Sequence, residues 1–365
     1  MRPGSHGCVG AVVVLALALP HAVDLAAQGE GTQRSWAVPR TAWGDPDMQG
    51  IWTNSKEAGT PLEKPAEYQG KSEAELRAIL QAKLNADASP DARKKREEIF
   101  DQSAGFVGRA AVAAEAKRGG GTGNGPVEWY EHLDPQNSRL WSVIDPPDGK
   151  MPALTPQARQ RQAARAERLR QTRTPDPDDV GGRYLPEGPE DMTLGDRCMQ
   201  GVRMYQPSYY NNNFQVVQSP GYVVVLYEWF HDARIIPTDG RPPVGHPQLS
   251  GNSRGRWEGD TLVVETTQVS EESGGFRGAE LKTLRLTERF TRTGPDTIDY
   301  QFTASDPNTW VRPWTVAIPW TKDDNQDQVF EYACHEGNYG LANILSGARV
   351  VEKQLAGEAA RKKKP

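Results

Sequence analysis

The chain is short of the residues on which many familiar chemistries depend. It has 365 residues but only three cysteines and six histidines. No C-x-x-C or H-E-x-x-H spacing occurs, so a zinc finger and a zincin-type metal helix are excluded. Cys334-His335 lacks the preceding C-x-x of a c-type haem attachment site. There is no G-x-S-x-G elbow to present a nucleophilic serine. Lys and Arg total 43 against 48 Asp and Glu, a net charge of -5, so the basic excess that a nucleic-acid partner demands is missing. Only one long apolar run exists, at the N-terminus, and it is too short to span a bilayer. No repeat of propeller or solenoid length is present.

What is present begins with that run. Arg2 supplies a positive start, Val9 to Pro20 is apolar, and small residues follow at Ala26 and Ala27. This is the pattern of a secretory signal peptide over 1–27, which predicts an exported, periplasmic or secreted protein. Cys8 precedes the apolar core, so it is not placed as a lipid-anchor cysteine. The two remaining cysteines, Cys198 and Cys334, are expected to pair in an oxidising compartment. Two free buried thiols are the alternative.

Gly (36) and Pro (28) are abundant, which favours turns and a β-rich fold. Residues 28–204 read as an extended, partly helical arm. Within it, Ser72-x-x-Glu75 is a capping box, and Leu76, Ile79, Leu80 and Leu84 recur at helical spacing over 73–85. A charged helix continues over 90–103. The Gly-rich stretch 118–125 is followed by Pro126 and by no Lys-Ser/Thr pair, so it reads as a linker and not a phosphate loop. Thr155 and Pro156 start a third, Arg- and Ala-rich helix over 156–173, which must lie on the surface.

From 205 to 335 the period changes to two. Strands are expected at 214–218, 222–229, 233–237, 256–257, 261–267, 283–291, 297–304, 313–320 and 329–333. Glu258-Gly259-Asp260 and Gly294-Pro295-Asp296 mark hairpins. Trp314, Val316, Ile318 and Trp320 would share one face. The fold class is therefore mainly β, α+β overall, an antiparallel meander closing into a barrel or a sandwich. A C-terminal helix over 336–357 with Leu341, Ile344, Leu345, Ala348 and Leu355 on one stripe would pack on the sheet. A basic tail, 358–365, follows it.

The candidate chemistry lies in two polar clusters. In the first, Glu228, His231 and Asp232 surround a strand end. In the second, His335 and Glu336 follow Cys334. A histidine beside a carboxylate is a usable general base near neutral pH, so His231 and His335 would share a pocket with Glu228, Asp232 or Glu336. Two histidines and a carboxylate also suit a divalent metal; no other cofactor is indicated. The competing reading is that these side chains cap strand ends and solvate turns. Tyr209 and Asn212 would line a pocket mouth, or form a turn. Arg254 and Arg256 would be available to bind an anionic group, or lie solvated on a surface loop, and Arg234 is a further candidate ligand-binding residue.

Two resemblances accompany these readings. Gly50-Ile51-Trp52 resembles the opening strand of lipocalin-like barrels, where the Trp plugs one end. The strings Tyr210–Gln215, Trp229–Pro237, Gly255–Val264 and Tyr332–Gly340 resemble those of a large family of exported soil-bacterial proteins. That likeness spans nearly the whole mature chain and implies export and a shared fold; it supplies no catalytic residue. Two functions follow as expectations. One is an enzyme acting on a small organic or carbohydrate-like substrate by His/carboxylate acid–base chemistry. The other is a non-catalytic barrel that holds an apolar or aromatic small ligand in its interior.

Overall fold

The computed structural model describes residues 36–92, 94, 136–171, 185–207, 211–322, 329–336 and 338–362. The signal peptide, most of the 90–103 helix, the Gly-rich linker and Tyr209 lie outside the described residues.

Eleven strands form one antiparallel sheet: β1 (Gly50–Thr53), β2 (Val143–Asp145), β3 (Asn213–Ser219), β4 (Tyr222–Tyr227), β5 (Asp232–Pro237), β6 (Asn252–Glu258), β7 (Thr261–Thr267), β8 (Arg285–Gly294), β9 (Thr297–Ser305), β10 (Trp314–Ala317) and β11 (Trp320–Thr321). The expected hairpins form. Glu258 pairs with Thr261 across a two-residue turn whose Gly259 has φ +61°, a conformation that favours glycine.

The strand order corrects the meander. It runs β5-β4-β3-β1-β11-β9-β8-β7-β6, so two meanders are stitched together by β1 and β11. Trp52 pairs with Phe214 on one side of β1, and Thr53 with Thr321 on the other. The strand expected over 313–320 is two strands, β10 and β11, which pair with opposite ends of β9. Pro319 stands between them and has no N–H to donate to a ladder. Residues 329–333 are irregular and form no strand.

The sheet is not closed into a barrel, and it is one sheet, not a sandwich. It curls until its two edges, β5 and β6, meet through side chains. A Cβ on Gly255 of β6 would come within 2.9 Å of Thr238 and 3.0 Å of Ile236, so the seam tolerates only glycine there without a shift. No ladder crosses this seam.

The inward faces are filled by rings. Phe214 stacks on Trp320 at 4.2 Å between centroids and on Tyr227 at 4.9 Å. Tyr205, from the segment before β3, meets Phe214, Tyr227, Tyr300 and Trp320, all within 6 Å. Offset and edge-on pairs of this kind add about 0.5–1.5 kcal/mol each beyond area burial. Trp52 is fully buried, its indole N–H donating to the Met48 carbonyl at 3.0 Å.

Among the described residues, three α-helices flank the sheet. Helix α1 (Glu73–Asp87) has the capping box, with the Ser72 side chain accepting from the Glu75 N–H and Glu75 reaching back to the Ser72 N–H at 2.7 Å. Helix α2 (Pro156–Gln171) is N-capped by Thr155, which accepts from the Ala158 N–H at 3.1 Å. Its Arg161 donates to Thr309 at 2.7 Å, and Ala158 is its buried contact. Helix α3 runs Tyr339–Lys362, so the first residues of the expected basic tail are helical. Its docking also differs from expectation. Ala348 is buried, but Ile344 and Leu355 are exposed, and Arg349 donates to the carbonyls of Pro186 and Glu187. The helix is anchored on the 186–198 segment. No helix among the described residues is long and apolar enough to cross a membrane.

Candidate functional site

Where β5 curls onto β6, an inward-facing row of β5 carries Asp232, Arg234 and Ile236 by the two-residue alternation of a strand. Arg234 bridges the seam. Its Nε donates to Ser253 of β6 at 2.9 Å, Nη1 to Glu288 of β8 at 2.9 Å, and Nη2 to Thr266 of β7 at 2.8 Å and to the second Glu288 oxygen. Tyr300 of β9 donates to the same carboxylate at 3.0 Å, and Ser253 and Thr266 bond each other at 3.0 Å. The Glu288 side chain is 1% exposed and that of Arg234 12%.

Burial disfavours the charge on Arg234, but Glu288 and Tyr205 together outweigh it and hold the guanidinium above its ordinary pKa. Burial likewise pushes the Tyr300 hydroxyl up, with Glu288 adding to the effect, and raises Tyr205. This is a bidentate, charge-assisted pair whose remaining lone pairs and protons are taken up, the condition under which a buried ion pair is tolerated.

Outside this pair a cleft of about 680 Å³ opens along the seam. Its walls are β5, the 241–252 connection to β6, and Cys198–Gln200. Phe230, Ile235 and Val244 give it an apolar side, and Ile235 is 61% exposed. A small inner recess, lined by Arg203, Tyr205, Asp232, Arg234 and Glu288, continues it toward the interior. Asp232, Arg234 and Ser250 line both spaces.

Asp232 differs from its neighbour two residues on. Among the described residues its carboxyl forms no hydrogen bond or ion pair. Burial raises its pKa above the ordinary aspartate value, and the Arg203 and Arg234 charges only partly oppose this. The corner before it is strained: Phe230 and His231 both sit at positive φ, +59° and +53°. Such conformations cost of order 1–3 kcal/mol each for residues other than glycine, and they aim the chain into β5 at Asp232.

The structure separates the other expected site residues. His231 and His335 are exposed, as is Glu336, and neither histidine lines the cleft. Glu228 is buried and accepts from Asn213 at 2.8 Å, away from both spaces. Asn212 is fully buried beside β3 and outside the cleft. Arg254 lines the cleft, with its N–H groups on the carbonyls of Arg241, Pro242 and Ser253. No group of three or more His, Cys, Asp or Glu side chains is placed to hold a metal among the described residues. Cys198 and Cys334 form the expected disulfide, 136 residues apart in sequence, and Cys198 is part of the cleft wall.

Sequence reasoning missed Arg203, Thr266, Glu288 and Tyr300. Glu288 is an acidic residue in the inward row of β8, between Leu286 and Phe290, and a charge at a core-facing position was the available signal. Comparison with family models, with curated proteins and with solved structures finds no match.

Proposed function

We propose that the chain is an exported protein that binds a small organic or carbohydrate-like molecule in the seam cleft and acts on it by acid–base chemistry centred on Asp232. The observation that carries this reading is Asp232 itself. It is a half-buried carboxyl without a hydrogen bond, raised in pKa, at the junction of a cleft and its inner recess. Desolvation moves the carboxyl upward, in the direction that general acid catalysis requires. Glu288 is as buried but has its lone pairs occupied, so it serves Arg234 instead.

Export is supported by the signal-peptide pattern and by the formed disulfide, which suits an oxidising compartment. The likeness to exported soil-bacterial proteins points the same way. The interior of the curled sheet is filled with stacked rings, so a lipocalin-like ligand in a barrel interior fits less well than one in the seam. A non-catalytic binder remains the second reading, favoured by the apolar wall of Phe230, Ile235 and Val244.

The test is turnover of a panel of chromogenic esters and glycosides by the mature protein and two variants. Loss of activity in Asp232→Asn, with activity kept in a His231→Ala/His335→Ala double variant, is the expected result. Loss in the histidine variant alone would overturn the assignment to Asp232. Ligand binding in the cleft without turnover of any substrate would favour the binder.

A further inference from the structure

The cations around the cleft are not equivalent. Arg234 is neutralised by Glu288. Arg241 is paired with Asp239, whose carboxyl it pulls down to about 2. Arg203 has only the nearby Asp232 carboxyl, which feels its charge without a hydrogen bond or close ion pair. It lines the inner recess, and among the described residues its guanidinium forms no hydrogen bond or ion pair. Its Nε is buried without an acceptor. The guanidinium lies over the Tyr227 ring at 5.0 Å, a cation–π contact that fixes its plane and leaves its N–H edge unspent. Arg254, which lines the cleft, has carbonyl partners but no carboxylate.

A buried guanidinium N–H without an acceptor is costly, and planar guanidinium edges match carboxylate and phosphate oxygens. We infer that the seam cleft takes an organic anion, one oxygen of its carboxylate or phosphate entering the inner recess, a space of about 20 Å³, to reach Arg203, while its apolar body stays in the cleft against Ile235 and Val244. This rests on the reading of the seam as the ligand site and adds the chemical class of the ligand. Asp232 beside Arg203 then has a second effect. When ionised it competes with the ligand for the same cation, and when protonated it can donate to the ligand's oxygen.

The test uses the full mature chain with labelled Ile and Val methyl groups. Phenylacetate and its neutral counterpart phenylacetamide are titrated while the Ile235 and Val244 methyl signals are followed. Phenylacetate is expected to bind at least tenfold more tightly. Arg203→Met should bring the ratio near one with a modest fall in melting temperature, because only the Tyr227 cation–π contact and no hydrogen bond is lost. Asp232→Asn should strengthen phenylacetate binding several-fold. Should Arg203→Met fold poorly, Arg203→Gln and the salt dependence of wild-type binding replace it. Weakening of phenylacetate, but not of the amide, with rising salt is the expected outcome. Substituting phenyl phosphate for phenylacetate shows which anion the recess prefers.

Equal affinity of acid and amide, with both moving the Ile235 and Val244 signals, would end the anion inference and leave the seam as a ligand site. An acid preference that survives in Arg203→Met and Arg203→Gln would also end it. If no probe moves those methyl signals, the seam reading fails as well.

Discussion

Two arginines sit at the same inner rim of the curled sheet, and the contrast between them separates structure from function. Arg234 spends its N–H groups on Glu288, Ser253 and Thr266, and so ties β5 to β6, β7 and β8 where no ladder does. Arg203 lies on a tyrosine face with none of its N–H groups bonded among the described residues. Their acidic neighbours differ in the same way. Glu288 is enclosed and fully bonded, while Asp232 is half-buried and unbonded. A satisfied buried charge holds a fold together. An unsatisfied one beside a cleft is available to a ligand.

The largest way to break that contrast is to strip Arg234 of its partner. Glu288→Gln should cost about 3–5 kcal/mol in urea unfolding, since it leaves a buried cation unpaired. An Arg234→Met/Glu288→Leu double variant should lose much less than the sum of the single variants. A fully additive result would mean the pair is not coupled.

Next in size is the disulfide. Cys198→Ser/Cys334→Ser should cost about 2–5 kcal/mol and loosen the cleft wall. Thiol labelling of the unreduced protein should find neither cysteine. Reactivity at both would contradict the bond.

Asp232 gives a smaller effect with a defined sign. Its folded pKa is raised, so the unfolded chain loses this proton first as pH increases. The contribution of Asp232 to stability is therefore full below its ordinary value of about 3.9 and declines as pH rises through the raised folded value. Asp232→Asn should flatten that decline and be neutral to slightly stabilising at pH 7, by of order 1 kcal/mol or less. Urea midpoints at several pH values measure this; a destabilised variant at pH 7 would show that the ionised carboxylate has partners after all. Arg203→Met is of similar small size, about 0.5–1 kcal/mol, because it removes the cation–π contact with Tyr227 but no hydrogen bond.

Much of the sheet was legible because its signals are local. Turn residues at 258–260 and 294–296 flank alternating strands, and both hairpins form there. The Ser72–Glu75 and Thr155 caps are equally local and equally present. What sequence could not convey was pairing across hundreds of residues, such as Thr53 with Thr321, because nothing in either strand names its partner. The 329–333 segment has strand-forming residues but finds no neighbour to pair with among the described strands.

The site was legible in part for a related reason. His231 and His335 drew attention by residue type, yet what sets a functional group apart is its surroundings, and both face solvent. Asp232 carried no stronger sequence signal than Glu228. Only the strand register, which points Asp232 toward the recess, distinguishes them. Arg203 lies in Val202-Arg203-Met204-Tyr205, a stretch with no periodicity, and its role depends on Tyr227 in a separate strand.

The position of β1 carries a last consequence, for the time course of folding. Four residues near the start of the described chain lie between β3 and β11, and β11 ends at Thr321. Each meander can assemble from neighbours as it is synthesised, but the stitch between them needs the first strand and the last together. Contacts this distant in sequence are slow to form. The two hairpin arrays therefore stay unjoined until β11 has been made, so the last step of sheet assembly is the closing of β1 between β3 and β11.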